Sequence, residues 1–210
     1  MINRFLFLLL AMLCFLPAAN AFQKNSVAVM VNEEVITLFD LRQEVLLSRV
    51  YKGEGWDRPV TDAELRGILN DTVEKWLVDQ DAVRFSIVEI TEKKRFEELE
   101  SFKKRFPTQS DYFRFLSTGE FSEETLLRLL TREFQRREFM KIKMGSFHME
   151  PTDEEIQSYF WQQAVKYRGK QLSAVRGEII RELQQLQEQR AMRRWIIDLR
   201  ARSTISYVLK

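Results

Sequence analysis

The chain is poor in the residues that most often build catalytic chemistry or staple a fold. Of its 210 residues, one is cysteine (Cys14) and one is histidine (His148). A single thiol excludes an internal disulfide and a cysteine metal cluster. A single imidazole, with no nucleophile at a readable spacing, gives a Ser-His-Asp or Cys-His catalyst no starting point. His148 sits among Phe147, Met149 and Pro151 and reads as a connecting or packing residue. Glycine and proline are scarce, at 7 and 4, which excludes collagen-like and low-complexity chains. Gly53-x-Gly55 lacks the third glycine and the strand-to-helix setting of a nucleotide fingerprint and reads as a turn. Excess charge is absent too: 33 Lys and Arg stand against 31 Asp and Glu, a net +2. That balance argues against a nucleic-acid binder working by bulk electrostatics. No cofactor is expected.

What is present is the balance of a folded soluble protein: 45% apolar, 30% charged and 12% aromatic. The aromatic content argues against disorder. The first residues read differently from the rest. A short positive start through Arg4, an apolar run of 12 residues from Phe5 to Leu16, the breaker Pro17, and Ala19-Asn20-Ala21 have the three parts of a secretory signal. The run is too short to span a bilayer. Cleavage after Ala21 is expected; it would leave 189 residues with a formal charge of +1, no cysteine and no stable membrane insertion.

Beyond it, Ser26 to Asn32 and Val35-Ile36-Thr37 read as two short strands around Glu33-Glu34. Thr37 and Asp40 form a capping-box-like start to a helix over about Leu38 to Val50. Thr61 with Glu64 opens a second helix, with Leu65, Ile68, Leu69, Val73, Trp76 and Leu77 in one stripe. Thr91 caps a third helix ending before Pro107, and a short helix carries Tyr112, Phe113, Phe115 and Leu116. Ser122 opens a long helix that fades near Gly145, and Thr152 with Glu155 opens the next. A connection over 167–170 leads to a final long helix. In it, Val175, Ile179, Leu183 and Leu186 give way to Met192, Trp195, Ile196 and Leu199 after a phase shift at Arg190. Thr204 to Leu209 alternates as a strand, expected to pair with the N-terminal hairpin. The fold class is mainly α, with a small β element formed by the two chain ends.

Charged pairs such as Lys93, Lys94 and Arg95 beside Glu97, Glu98 and Glu100 read as a solvated helix face. Arg136-Arg137 and Arg193-Arg194 could meet anionic partners, but their acidic neighbours favour surface solvation. Aromatic and thioether residues are denser. Tyr112 and Phe113 are adjacent and cannot both enter one helix core. Tyr112, Phe113, Phe115, Phe121, Met144, Phe147, Met149, Tyr159 and Trp161 are the candidate peptide-binding residues of an apolar groove, because Met and aromatic side chains adapt to varied apolar partners.

Val27-Ala28-Val29, Val31-Asn32, Val35-Ile36-Thr37 and Asp40-Leu41 resemble the opening of the SurA-type periplasmic chaperones. The resemblance continues through Arg105-Phe106-Pro107, Asp111-Tyr112, Phe115-Leu116, Phe121-Ser122, and Thr152 to Ile156 with Tyr159-Phe160, then from Gly177 to Leu209. It implies a chaperone core over 22–210, in an N-terminal part (22–166) and a C-terminal helix and strand (174–210). Family members usually carry parvulin-type prolyl isomerase domains between these parts. Here only 167–173 stand there, too few for a domain, so no catalytic residue carries over. The resemblance implies an ATP-independent holdase in the periplasm of a Gram-negative-type bacterium. Its partners would be unfolded or nascent outer-membrane and secreted polypeptides and the outer-membrane assembly machinery, with no nucleic acid. The alternatives are a non-catalytic structural or adaptor subunit of an envelope complex and a degenerate prolyl isomerase.

Overall fold

Thr37 switches the chain from strand to helix. Its hydroxyl accepts from the Asp40 backbone N–H at 3.1 Å, and the Asp40 carboxylate accepts from the Thr37 N–H at 2.8 Å. This reciprocal capping box satisfies two helix-end donors. In the computed structural model, which describes residues 26–85 and 89–209, the same device recurs at Thr61 with Glu64 and at Thr152 with Glu155. Thr91, Thr108 and Ser122 cap through one bond each. The secretory-signal segment Met1–Ala21 lies outside the described residues.

The elements run β1 (Val27–Val31), β2 (Glu34–Thr37), α1 (Leu38–Lys52), α2 (Asp62–Phe85), α3 (Glu92–Lys103), α4 (Gln109–Gly119), α5 (Glu123–Gly145), α6 (Asp153–Gln162), α7 (Leu172–Ala201) and β3 (Ile205–Tyr207). The expected mainly helical architecture with a small terminal sheet is what the structure has. The chain forms two compact units, one reaching to Thr72 and resuming at Ile205, the other spanning Val73–Thr204.

In the first unit the strand order is β2-β1-β3, all antiparallel. The C-terminal strand does pair with the hairpin: Val29, Met30 and Val31 face Tyr207, Ser206 and Ile205. The hairpin turns at Asn32, whose φ of 55° is left-handed, a region asparagine tolerates. A register shift between Val27 and Val29 breaks the alternation, and Ala28 and Val29 are both buried. With Val31, Ile36, Leu41 and Val45 they form the core under α1. Gly53 ends α1 at φ 70°, the left-handed position glycine fills without strain. β3 is tied further by the Tyr207 hydroxyl, which donates to Asn70 Oδ1 at 2.9 Å, and by the Val208 N–H on the Ala28 carbonyl at 2.9 Å. Removing 204–210 uncovers the edge of β1 and should lower the melting temperature by about 4–8 °C, the effect of roughly 2 kcal/mol in a chain of this size. An unchanged calorimetric melt would contradict this account of the sheet.

In the second unit, Ile156 of α6 packs with Tyr167, Val175 and Ile179. Tyr167, at the start of the segment read as a linker, is a core residue. It stacks on Phe160 at 5.8 Å, and its hydroxyl donates to Glu182 Oε2 at 3.2 Å. Glu182 also accepts from the Tyr159 hydroxyl at 2.9 Å and pairs with Lys166. The turn between α6 and α7 is therefore packed. The phase shift at Arg190 has its cause here. Ile179 faces α6, whereas Trp195 lies 6.0 Å from Phe139 of α5. Sixteen residues at 100° each place these two contacts roughly 160° apart around the helix.

Candidate functional site

The corner between α3 and α4 is built from rings. Pro107 follows the α3 turn and Thr108 caps α4, and the rings of Phe102 and Phe106 meet that of Phe115 across this short connection. Phe115 sits at the centre. Its ring lies 5.2 Å from Phe106, 5.6 Å from Phe102 and 5.1 Å from Phe121. Phe106 in turn meets Tyr112 edge-on at 5.6 Å. These offset and tilted geometries suit the ring quadrupoles.

Over this floor opens a cleft of about 590 Å³, lined by Phe106, Pro107, Tyr112 and Phe113 with Glu100, Lys103, Lys104, Thr108, Gln109 and Glu123. Its rim is charged. Lys103 Nζ lies 3.1 Å from Glu100 and 3.3 Å from Glu123, and 5.4 Å from the centre of the Tyr112 ring. The Tyr112 hydroxyl donates to Glu123 Oε1 at 3.1 Å. Burial, reinforced by the Glu123 carboxylate, pushes the Tyr112 phenol well above its ordinary range. For Lys103 burial works downward, but the hydrogen bonds to Glu100 and Glu123 outweigh it and raise the amine. The phenol stays protonated and the lysine charged at neutral pH. The cleft is thus an apolar floor with fixed charges at its edge, able to take an apolar side chain and meet polar backbone around it.

The candidate residues divide. Tyr112, Phe115 and Phe121 are buried, and for Phe115 and Phe121 the expected groove role is corrected: they form the ring core. The reason is helical period, since 112, 115 and 116 share the inner face of α4 while Phe113 points outward and is 52% exposed. Met144, Met149 and Trp161 are exposed; Phe147 and Tyr159 are half-buried. Tyr159 is engaged with Glu182, and Phe147 lies under Lys143 Nζ at 5.6 Å. The single groove expected from all of them is not formed at this corner: of the set, only Tyr112 and Phe113 line the cleft. Sequence reasoning missed Lys103, Lys104 and Glu123, whose charges look like ordinary surface until α3, α4 and the start of α5 meet. The available signal was Pro107-Thr108, a helix stop followed by a helix cap between two aromatic-rich segments.

His148 connects α5 to α7. Its Nδ1 lies 3.1 Å from Glu188 Oε1, and its Nε2 lies 3.3 Å from Gln184 Nε2. Among the described residues, no group of three His, Cys, Asp or Glu is placed to hold a metal, and no helix is long and apolar enough to cross a membrane. No protein-family model matches this chain, and no curated protein matches it. The resemblance to SurA-type chaperones rests on the order of motifs in the sequence alone.

Proposed function

We propose that this protein is an ATP-independent holdase of the bacterial periplasm that binds unfolded outer-membrane or secreted polypeptides. The cleft at the α3–α4 corner is the observation that carries the reading. It offers an aromatic floor to a client side chain, with Lys103, Lys104, Glu100 and Glu123 around the opening. The order of SurA-like motifs and the secretory-signal pattern support the compartment and the client class. Holding unfolded chains by mass action requires no nucleotide.

Magnitudes favour weak, repeated contact. Burying one client aromatic yields about 1.5–3 kcal/mol, whereas even millimolar affinity needs about 4 kcal/mol. One cleft is therefore too weak alone. Exposed Trp161, Met149 and Met144 supply further adhesive points, and a flexible client touching several gains by effective concentration. Such binding is also readily reversed, which a holdase needs.

The test is aggregation of a urea-denatured outer-membrane barrel diluted into buffer without ATP. The protein should suppress light scattering at near-stoichiometric ratio. Phe113→Asp should raise the concentration for half-protection about three- to tenfold, since only the exposed half of that side chain is left to bury against a client, roughly half of one full contact. Because Phe113 is half exposed, its melting temperature should not change. Absence of protection by the unaltered protein would end the proposal.

A further inference from the structure

We infer that the outer face of α7 around Arg190, Arg193, Arg194 and Ile197 is a docking surface for an anionic phospholipid membrane. The inference stands on α7 and is independent of the cleft. Two arginine pairs look alike in the sequence, and the structure separates them. Arg136 is engaged by Asp79 at 3.3 Å and Glu133 at 2.5 Å, and Arg137 by Glu98 at 3.1 Å. Arg193 and Arg194, with Arg190, are exposed and have no ion pair or hydrogen bond from their side chains among the described residues.

Their spacing gathers them. Positions 190, 193, 194 and 197 fall at i, i+3, i+4 and i+7, one face of a helix. The opposite side is locked, because Trp195 and Leu199 are buried and Trp195 packs on Phe139. The arginines are therefore held outward by the core. The nearby acids do not neutralise them. Glu188, which hydrogen-bonds His148, lies roughly 160° around the helix from Arg190, and Asp198 is exposed to one side without an ion pair among the described residues. Of the neighbouring cations, Arg200 turns to Glu74 at 3.3 Å, and Arg202 Nε donates to the Asp198 carbonyl at 3.2 Å.

Charge complementarity identifies the occupant. Guanidinium groups bind phosphate oxygens through paired donors. Amid them Ile197 is 61% exposed, an apolar side chain that gains by entering the boundary between headgroups and acyl chains. A helix face is convex, so a folded acidic partner would need a matching groove with acids in register. A lipid surface presents phosphates at every lateral position and meets all three arginines at once. The membrane would be touched peripherally, not crossed.

The experiment compares the full chain with R190Q/R193Q/R194Q and with Ile197→Ser by co-sedimentation. The probes are phosphatidylcholine vesicles with and without phosphatidylglycerol, at low and high salt. The apolar Phe5–Leu16 run is identical in all three proteins, so differences among them report α7. Each basic residue near an anionic surface strengthens binding about fivefold. The triple variant should thus bind phosphatidylglycerol vesicles on the order of 100-fold more weakly, with an unchanged melting temperature. Ile197→Ser should bind several-fold more weakly, and high salt should erase the preference for phosphatidylglycerol. Equal sedimentation of the parent and the triple variant would overturn the inference. So would an equal affinity for both vesicle types, or tighter binding to polyglutamate or duplex DNA than to phosphatidylglycerol vesicles. A failed aggregation assay would leave this result standing, and the reverse also holds.

Discussion

Glu64→Ala is expected to destabilise the protein by about 3–5 kcal/mol, because it strands a buried guanidinium. Arg49 is 2% exposed. Its Nη2 donates to Glu64 Oε2 at 2.8 Å and Oε1 at 2.9 Å, and its Nε to Oε1 at 3.2 Å. Its guanidinium also donates to the backbone carbonyls of Arg58, at 2.7 Å from Nη1, and Pro59, at 3.1 Å from Nη2. The same carboxylate caps α2 through the Thr61 N–H at 3.0 Å and also meets Arg58 at 2.9 Å. One side chain thus fastens α1, the connection to α2 and the start of α2. Removing it exposes the buried cation's desolvation cost and a helix-end donor together. Replacing both partners, as Arg49→Met with Glu64→Leu, should recover part of the loss, since the pair's own net contribution is small. Urea unfolding measures both. A loss below about 1 kcal/mol for Glu64→Ala would show that the two carbonyls alone suffice for Arg49.

The same group sets an acid limit. The Thr61 N–H first, and then the Arg49 hydrogen bonds, hold the Glu64 carboxyl at about 2, down from an ordinary 4.5. Its folded value lies below its unfolded value. The stabilisation is therefore complete above pH about 4.5 and is lost as pH falls towards about 2. Glu64→Gln should flatten that part of the stability–pH curve while leaving the curve's shape above pH about 5 unchanged.

Phe115→Ala should cost about 3–5 kcal/mol. Phe115 is fully buried and touches Phe102, Phe106 and Phe121, so truncation removes its transfer energy and leaves a cavity whose walls are rings. Two residues earlier, Phe113→Ala should stay within about 0.5 kcal/mol, since that side chain already meets solvent. Chemical denaturation of the pair measures the contrast. Similar losses at both positions would mean that Phe113 is also a core residue. The Phe115 variant should also loosen Phe106, which lines the cleft, so protection and stability would fall together, whereas Phe113→Asp should separate them.

Much of the fold was legible because its signals are local. Thr37 with Asp40, Thr61 with Glu64 and Thr152 with Glu155 each satisfy helix-end donors within four residues, and those bonds form whatever packs nearby. The pairing of the chain's two ends was legible because a lone terminal strand leaves its donors and acceptors unpaired. The split of Tyr112 from Phe113 followed from helical period, which sends adjacent residues about 100° apart.

What remained depended on which distant surface each residue met. Glu64 could be read as a cap; that the same carboxylate neutralises Arg49 required α1 to lie against it. Tyr167 looked like linker because its partners, Phe160 and Glu182, belong to two other segments. Phe115 and Phe121 looked available for a client, and the meeting of α3, α4 and α5 sealed them. Arg137 and Arg193 were alike in sequence. A carboxylate on α3, far along the chain, engages the first, and none among the described residues engages the second. Sequence fixes spacing along a helix, and spacing decides which side chains share a face. Only the folded chain decides what that face touches, because burial and charge pairing act between segments whose separation the spacing does not encode.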